Sequence, residues 1–283
     1  MGEKRIDELT GRPTMGHDFD GIEELNTPMP SWWLLTFYAS IIWGIGYTIA
    51  YPAWPMIEGA TEGLLGYSTR AEVAQDIAEH EAENADLVAQ LVAQDMDALD
   101  PQSSLHRYAV ARGGSVFRAQ CSQCHGSGAA GAKGYPNLLD NDWLWGGTLA
   151  DITFSVRHGI RNATDDEARY SEMPAFGEFL EAQDIELIAD HVLALPNADA
   201  SSAGGMLYAD NCAACHGETG LGDREQGAPN LADAIWLFGS EREDVITSIT
   251  NARFGVMPAW GQRLSEADVR AVSTFVHSLG GGE

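Results

Sequence analysis

Positive charge is scarce in this 283-residue chain. Lys and Arg total 16 residues against 42 for Asp and Glu, and the formal net charge is −26. A surface this acidic repels phosphate backbones, so nucleic acid is excluded as a partner and proteins with basic patches are favoured. Wholesale disorder is excluded by a hydrophobic content of 45%. Cysteine is also scarce, and the placement of its four residues decides the functional interpretation below.

Charge is absent altogether between Glu24 and Glu58. Inside that interval, residues 32–51 form an apolar run of about 20 residues, which at about 1.5 Å per residue spans a hydrocarbon core of roughly 30 Å. Aromatic residues flank the run at both ends, as interfacial belts do. A cleaved signal peptide would begin nearer the terminus. We therefore expect residues 31–55 to be a single transmembrane anchor rather than a signal peptide or a buried core helix.

Basic residues near the anchor predict its orientation, because they accumulate on the cytoplasmic side. Lys4, Arg5 and Arg12 precede the anchor, whereas Arg70 alone lies within about 20 residues after it. We therefore expect residues 1–30 to be cytoplasmic. The rest of the chain would face the outside, which is the periplasm in a Gram-negative cell.

Glycine and proline are absent from residues 69–100, where Ala, Glu, Gln, Leu and Val dominate. This composition predicts one helix over residues 69–100, ended by Asp100 and Pro101. Its acidic residues predict a negative, solvated face. We interpret residues 56–104 as an acidic helical spacer that lifts the later domains off the membrane.

The remaining sequence contains the same module twice, and such repetition decides the fold class. Three motifs recur in the same order: CSQCH (121–125) as CAACH (212–216), PNL (136–138) as PNL (229–231), and MPAFG (173–177) as MPAWG (257–261). The last motif lies farther from the two preceding motifs in the first copy than in the second. The first copy therefore carries an insertion, which we place in residues 161–169. The repeats predict two tandem domains, residues 105–197 and 198–283.

Both copies have the pattern of helical domains. Ser265 and Asp268 resemble a capping box, and apolar residues then recur at helical spacing as far as Leu279. Strand alternation is nowhere sustained, so the sequence predicts an all-α fold with one transmembrane helix ahead of two small domains. Domains of about 80 residues bury a limited core and often need a large bound group.

All four cysteines lie in the two Cys-x-x-Cys-His motifs. A zinc site would space its cysteine pairs about 15–20 residues apart, much closer than here, and a thioredoxin-like pair needs a βαβ setting. Disulfides would leave the histidine after each pair unexplained. Cys-x-x-Cys-His is the attachment motif of c-type haem. We therefore expect two covalently attached haem c groups, one on Cys121 and Cys124 and the other on Cys212 and Cys215.

Each iron needs two axial ligands from the protein. The motifs supply His125 and His216, and the repeated MPA-aromatic-G context supplies Met173 and Met257. We predict that Met173 completes the site of His125 within the first module and that Met257 completes the site of His216 within the second. His/Met ligation fills both axial positions and raises the reduction potential, which indicates electron transfer rather than substrate conversion.

Supporting residues follow each motif at matching positions. An axial histidine usually donates its second ring N–H to a fixed acceptor, and we expect the carbonyls of Pro136 and Pro229 to accept it. Trp143 and Trp236 would pack on haem or donate the indole N–H to a propionate, with plain core packing as the alternative.

Two further histidines are weaker candidates. His158 could be an alternative ligand, but the second copy has no histidine at the matching place, so packing at a haem edge is favoured. His191 aligns with Phe275, which favours packing within a helix pair.

These residues support a family resemblance. Residues 105–280 resemble class I cytochrome c domains. The whole chain resembles the membrane-anchored dihaem subunit of cbb3-type cytochrome c oxidase, because DGIEELNTPMPSWW at 20–33 and YPAWPMIEGA at 51–60 are similar to the N-terminal region of that family. Some members have two N-terminal spans, and this sequence has one.

The resemblance implies a setting that spacing alone does not give. It implies a bacterial inner-membrane oxidase in which this chain carries electrons and has no substrate-converting site of its own. The implied partners are a haem–copper catalytic subunit and a monohaem cytochrome c subunit, with a basic cytochrome c as electron donor. The charge of −26 agrees with such a donor.

Two other functions remain open. One is a stand-alone anchored dihaem carrier, or the cytochrome subunit of a dehydrogenase, which would not co-purify with a haem–copper subunit. The other is a dihaem peroxidase or gas sensor, which needs an open axial site and would bind carbon monoxide when reduced.

Overall fold

The computed structural model describes residues 5–282, which divide into two compact units, the first ending at Ala82 and the second beginning at Glu83. Lys4, one of the residues used above for orientation, lies outside the described part. Each unit is described separately below.

The first unit contains the membrane helix. A small antiparallel hairpin of β1 (Thr14–Phe19) and β2 (Ile22–Leu25) precedes α1 (Ser31–Ala50). α1 has 20 residues, and each of its side chains is at least partly exposed, as expected for a helix whose partner is lipid. The predicted anchor is therefore present as a helix long and apolar enough to cross a membrane. A second hairpin of β3 (Pro55–Met56) and β4 (Gly59–Ala60) follows it.

The predicted single helix over residues 69–100 is wrong, because the structure divides this segment. α2 (Thr69–Glu83) has no buried residue, α3 (Ala85–Ala93) follows a break at Asn84, and a 3-10 turn, Met96–Ala98, ends the segment. Asn84 has φ −100° and ψ 3°, outside helical geometry. α3 buries Leu91, whereas no residue of α2 is buried.

That core changes the interpretation of the spacer. Leu91 is fully buried, in a cluster with Leu105 and Ala109 of the first module and Ala271 of the second. The second half of the predicted spacer is therefore packed into the second unit, and the composition of the segment did not reveal it.

The second unit consists of helices joined by loops, in agreement with the predicted all-α class. Its remaining helices are α4 (Ser104–Val116), α5 (Ser122–His125), α6 (Leu149–His158), α7 (Ala182–Leu193), α8 (Ala203–Asn211), α9 (Ala213–His216), α10 (Arg242–Asn251) and α11 (Glu266–His277). A π-helical turn, Phe117–Cys121, joins α4 to α5.

The helices pair across the repeats. α4, from the first copy, packs on α11, from the second, whereas α7 of the first copy packs on α8 and α10 of the second. Two glycines mark the close crossings: a Cβ on Gly113 would lie 2.0 Å from Ala271 O, and one on Gly204 would lie 2.2 Å from Leu187 O. The backbones therefore approach closely where a side chain would not fit.

Two lobes result, and neither coincides with a repeat. Lobe A consists of residues 84–169 and 257–282, and lobe B consists of residues 173–253. Two short crossing segments, residues 170–172 and 254–256, connect the lobes. The division at residue 197 therefore follows the repeats of the sequence, whereas packing joins the first half of each repeat to the second half of the other.

Candidate haem-binding sites

Each Cys-x-x-Cys-His motif forms one tight helical turn. α5 and α9 end at His125 and His216, and Gly126 and Gly217 follow with φ of 78° and 76°, a conformation that favours glycine. The turn puts both cysteines and the histidine of each motif on neighbouring positions of one helical turn, which is the arrangement that haem attachment requires.

Each motif histidine is held from behind by a main-chain carbonyl. His125 Nδ1 lies 3.0 Å from Pro136 O, and His216 Nδ1 lies 3.0 Å from Pro229 O. The prediction for both prolines is confirmed. A proton on Nδ1 donated to the carbonyl leaves the lone pair of Nε2 free to bind a metal.

Burial acts in the same direction. It lowers the pKa of His125 and of His216, although the hydrogen bonds to the proline carbonyls oppose that change. Since a metal binds the neutral imidazole, both groups favour the form that can serve as a ligand.

The cysteines are free thiols and belong to two separate sites. Cys121 lies in the apolar core of lobe A and Cys212 in that of lobe B. Burial raises the pKa of each of these two thiols to about 11, with a smaller contribution from the neighbouring cysteine of the motif. The four thiols do not gather around one point, so a shared zinc site is not formed.

Lobe A brings Met257, not Met173, to the first motif. The partly buried Met257 packs in the same core as Phe117, Cys121 and Trp143 of the first copy. Its main chain also pairs with Ile160 of the first copy, since Ile160 N donates to Met257 O at 3.1 Å.

Lobe B brings Met173 to the second motif. The partly buried Met173 packs in a core with Tyr208, Cys212 and Trp236 of the second copy. The predicted pairing of each methionine with the histidine of its own module therefore differs from the packing, which puts each methionine in the lobe of the other motif.

The donor sets fit haem c. Each lobe combines two free thiols on one turn, a histidine whose Nδ1 faces a carbonyl oxygen, and a thioether sulfur in the same apolar core. These are the groups that form two thioethers and two axial bonds.

The predicted role of the two tryptophans in binding a propionate is not supported. Trp143 Nε1 donates to Gly281 O, and Trp236 Nε1 donates to Asp233 O at 3.2 Å. Both indoles lie against the lobe cores, in agreement with the alternative of core packing.

The two weaker histidine candidates, His158 and His191, pack against aromatic rings of the protein. His158 Nδ1 lies 3.1 Å from the carboxylate of Asp165, and its ring packs on Phe154. His191 is buried in α7 with its ring 5.2 Å from that of Tyr208, as its alignment with an aromatic residue predicted.

A repeated cluster was missed at the sequence level. Arg169 lies over the ring of Trp145 and donates to Asp151 Oδ1 at 2.9 Å. Arg253 repeats this arrangement over Phe238, beside Asp244. Extending the repeat alignment to these positions would have found both clusters. Among the described residues, three buried side-chain nitrogens have no hydrogen-bond partner: Trp145 Nε1, Arg169 Nε and His191 Nδ1.

Two family models match the chain. A family model described as the N-terminal domain of cytochrome oxidase-cbb3, FixP, matches residues 11–58. Another, described as cytochrome c oxidase, cbb3-type, subunit III, matches residues 109–192 and 199–276, one stretch in each repeat.

Three relatives align with this chain over almost its whole length. The chain is 56% identical over 277 residues to the cbb3-type cytochrome c oxidase subunit CcoP of Cereibacter sphaeroides, covering 96% of each chain. It is 49% identical over 284 residues to the subunit FixP of Sinorhizobium medicae, covering 99% of this chain and 98% of that one. It is 47% identical over 286 residues to the subunit FixPc of Rhizobium leguminosarum, covering all of both.

Proposed function

The chain belongs to the family of subunit III of cbb3-type cytochrome c oxidase, and from this premise we propose that it carries two haem c groups and relays electrons from a periplasmic cytochrome c toward the oxygen-reducing subunit. It acts as part of an oxidoreductase complex, and the chain itself converts no substrate.

One observation carries the proposal: the same donor set is built twice. In both lobes a Cys-x-x-Cys-His turn, a proline carbonyl 3.0 Å from histidine Nδ1 and a methionine occur together. A single motif arises by chance more easily than two complete sets with matching geometry. Two sets support two haems.

The chain's residues have separate tasks in holding these groups. Cys121 and Cys124 in one lobe, and Cys212 and Cys215 in the other, attach haem. His125, His216, Met173 and Met257 fill the axial positions. Haem c, when bound, supplies one-electron chemistry at its iron. With both axial positions occupied by protein, no site remains for oxygen or peroxide, which disfavours the peroxidase and gas-sensor alternatives.

The two sites adjoin, which suits electron transfer between them. A cleft of about 540 Å³ is lined by residues 141–144 of one lobe and by residues of the loop 221–235 of the other, a loop that includes Pro229. Gly134 N donates to Leu237 O at 2.7 Å, and Lys133 Nζ lies 2.6 Å from Asp244 Oδ1. These contacts hold the loop that precedes Pro136 in lobe A against Leu237 and helix α10 of lobe B.

The proposed function places the chain at a membrane. α1 anchors the chain, the basic residues before it favour a cytoplasmic N-terminus, and the haem lobes would lie in the periplasm of a bacterial inner membrane. Partner subunits of the oxidase complex would include a haem–copper catalytic subunit and a monohaem cytochrome c subunit.

Purification of the native complex in detergent tests this function. We expect the chain to co-purify with a haem–copper subunit, and reduced basic cytochrome c to reduce its haems before oxygen is consumed. A Cys212→Ala/Cys215→Ala variant should slow oxygen consumption with this donor, whereas Ala213→Ser, within the same motif, should not. Isolation of the chain without a haem–copper subunit would favour the stand-alone carrier.

A further inference from the structure

The insertion of the first repeat, residues 161–169, has no counterpart in the second repeat. Its base is closed by main-chain hydrogen bonds: Arg161 N donates to Arg169 O at 2.7 Å, and Arg169 N donates to Gly159 O at 3.2 Å. The insertion is therefore a closed loop, and it begins three residues after His158, the last residue of α6.

Two carboxylates of this loop face the histidine that ends α6. His158 Nδ1 lies 3.1 Å from Asp165 Oδ1 and 3.5 Å from Glu167 Oε2. One ligand atom from each of the three side chains lies within 4.8 Å of the other two. The insertion thus completes a cluster of one histidine and two acids, which the second repeat does not share because its sequence lacks both the histidine and the insertion.

The separations within the cluster suit ligands of one small metal ion. Zinc binds imidazole nitrogen and carboxylate oxygen at about 2.0–2.2 Å in tetrahedral geometry, so neighbouring ligand atoms then lie about 3.3–3.6 Å apart. The distances of 3.1 Å and 3.5 Å from His158 Nδ1 are close to that range. An ion between these atoms would need only small side-chain movements.

The cluster is fixed both within the loop and by the other repeat. Asp165 Oδ1 accepts a hydrogen bond from Glu167 N at 3.0 Å, and Gln262 Nε2 donates to Thr164 O at 2.7 Å. The side chains of His158 and Asp165 are 13% and 15% exposed, whereas that of Glu167 is 74% exposed. Two of the three ligands are therefore held in place, and the third is free to adjust.

The three arginines nearest to the cluster in the sequence bind other groups. Arg157 pairs with Glu266 at 2.5 Å, Arg169 pairs with Asp151 at 2.9 Å, and Arg161 donates to two main-chain carbonyls. A protonated histidine supplies one positive charge against the two carboxylates. A divalent cation supplies two and contacts all three ligands, so it balances the cluster better.

The histidine in this ligand set selects the class of ion. Magnesium and calcium are bound by oxygen ligands, whereas imidazole together with carboxylates suits zinc and related divalent transition metals. His158 also differs from His125 and His216, because its Nδ1 faces carboxylates and theirs face the carbonyls of prolines.

We propose that His158, Asp165 and Glu167 form a binding site for a divalent transition-metal ion such as Zn²⁺, with water in the fourth position. The site goes beyond the proposed electron-transfer function and belongs to lobe A alone. A bound ion would tie the end of α6 to the insertion and, through the contact of the loop with Gln262, to the second repeat.

Zinc titration of the full-length, haem-loaded chain in detergent, against a chromogenic chelator, tests the site. We expect the metal-stripped wild-type chain to bind one Zn²⁺ at its tightest site. His158→Gln and Asp165→Asn should each weaken that binding about tenfold or more, because even the loss of a group that only orients a ligand costs about 10–100-fold in affinity. Wild-type affinity in His158→Gln would overturn the proposal.

Two neighbouring acids of the loop provide a matched control. Asp166 and Glu167 are both exposed, and Asp166→Asn and Glu167→Gln each remove one negative charge. Glu167→Gln should weaken Zn²⁺ binding about tenfold, whereas Asp166→Asn should stay within about twofold of wild type, because solvent and salt screen an exposed charge. Equal weakening by both would show that the charge of the loop attracts cations without a site, which would also overturn the proposal.

Spectra separate the loss of a ligand from the loss of the fold. Each variant should keep the wild-type haem absorption spectrum, since none of the substituted side chains is assigned to a haem. X-ray absorption at the zinc edge should show nitrogen and oxygen ligands at about 2.0–2.2 Å, with a histidine contribution that His158→Gln removes. Sulfur ligands at about 2.3 Å, or an unchanged histidine contribution in His158→Gln, would contradict the assignment.

Discussion

Ile160 and Met257 pair through their main chains in both directions, although 97 residues separate them in the sequence. The pairing holds the second repeat's methionine beside the helix that follows the first repeat's haem motif.

Gly159, next to this pair, should be intolerant of a side chain. In Gly159→Ala the new Cβ would lie 2.4 Å from Met257 O, at φ 77° and ψ −175°, a backbone conformation that costs an L-residue about 1–3 kcal/mol. We expect Met257 to be displaced, so that the methionine-to-iron(III) charge-transfer absorption band falls toward half of its wild-type intensity. Carbon monoxide should then bind the reduced protein.

Gly280→Ala is the matched control. Gly280 also has positive φ, +105°, but a Cβ there would meet no atom within 4 Å. This variant should keep the full band. A full band in Gly159→Ala as well would show that the contact with Ile160 and Gly159 does not position Met257.

The crossing of α4 and α11 should distinguish two adjacent glycines. A Cβ on Gly113 would lie 2.0 Å from Ala271 O, in the main chain, whereas one on Gly114 would first meet Phe275 Cε2, at 3.3 Å. We expect Gly113→Ala to lower the free energy of unfolding by about 1–3 kcal/mol or more, because the helices must move apart.

Gly114→Ala should instead stay within about 1 kcal/mol of wild type, since the helix gains alanine propensity and a side chain can yield. Urea unfolding of the haem-loaded protein measures both. Equal effects of the two substitutions would contradict the close crossing at Gly113.

Tyr208 should make lobe B sensitive to alkaline pH. Its hydroxyl donates to Gly217 O at 2.8 Å, and burial, with a smaller contribution from Cys212, raises the pKa of Tyr208 to about 12. The folded protein therefore holds this proton more strongly than the unfolded chain, whose tyrosine titrates near pH 10. The resulting stability is complete below about pH 10 and is lost as pH rises to about 12.

Tyr208→Phe should remove the pH-dependent part of the free energy of unfolding. At neutral pH it should lower that free energy by about 0.5–1.5 kcal/mol, the net value of one hydrogen bond. Phe117 occupies the matching position of the first repeat, so the ring itself will be accepted. Tyr135→Phe, at an exposed site, is the control and should change neither quantity. An unchanged pH profile between pH 10 and 12 in Tyr208→Phe would show that Tyr208 is not the group responsible.

Electron entry should depend on salt. With a net charge of −26, the protein attracts a basic cytochrome c, and screening by salt should slow reduction of its haems about tenfold or more. Stopped-flow mixing at increasing ionic strength measures this, with an acidic cytochrome c as the control donor. A rate independent of salt with the basic donor would contradict electrostatic docking.

Local chemistry was predictable from the sequence because it depends on short spacings. The 20-residue helix Ser31–Ala50, the helical turns ending at His125 and His216, and the carbonyls of Pro136 and Pro229 all occur where the sequence placed them. In each case the interacting groups lie within about one helix or one loop of each other, so few alternatives compete.

The pairing of the repeats was not predictable in the same way. The two copies have equivalent close crossings, at Gly113 and at Gly204, so the sequence pattern does not distinguish which second half packs on which first half. The short connection from Leu193 to Ala203 then favours packing of α7 on α8, its neighbour in the chain. Composition also concealed the break at Asn84, because the segment on both sides of it has good helix formers.

The most direct test of the central claim is the mass of the denatured polypeptide purified from the membrane. Thioether bonds survive denaturation, so the mass should exceed that of the 283 residues by two haem groups. Cys121→Ala/Cys124→Ala should carry one haem, and so should Cys212→Ala/Cys215→Ala. A wild-type mass with one haem or none would contradict the account of this chain as a two-haem electron carrier.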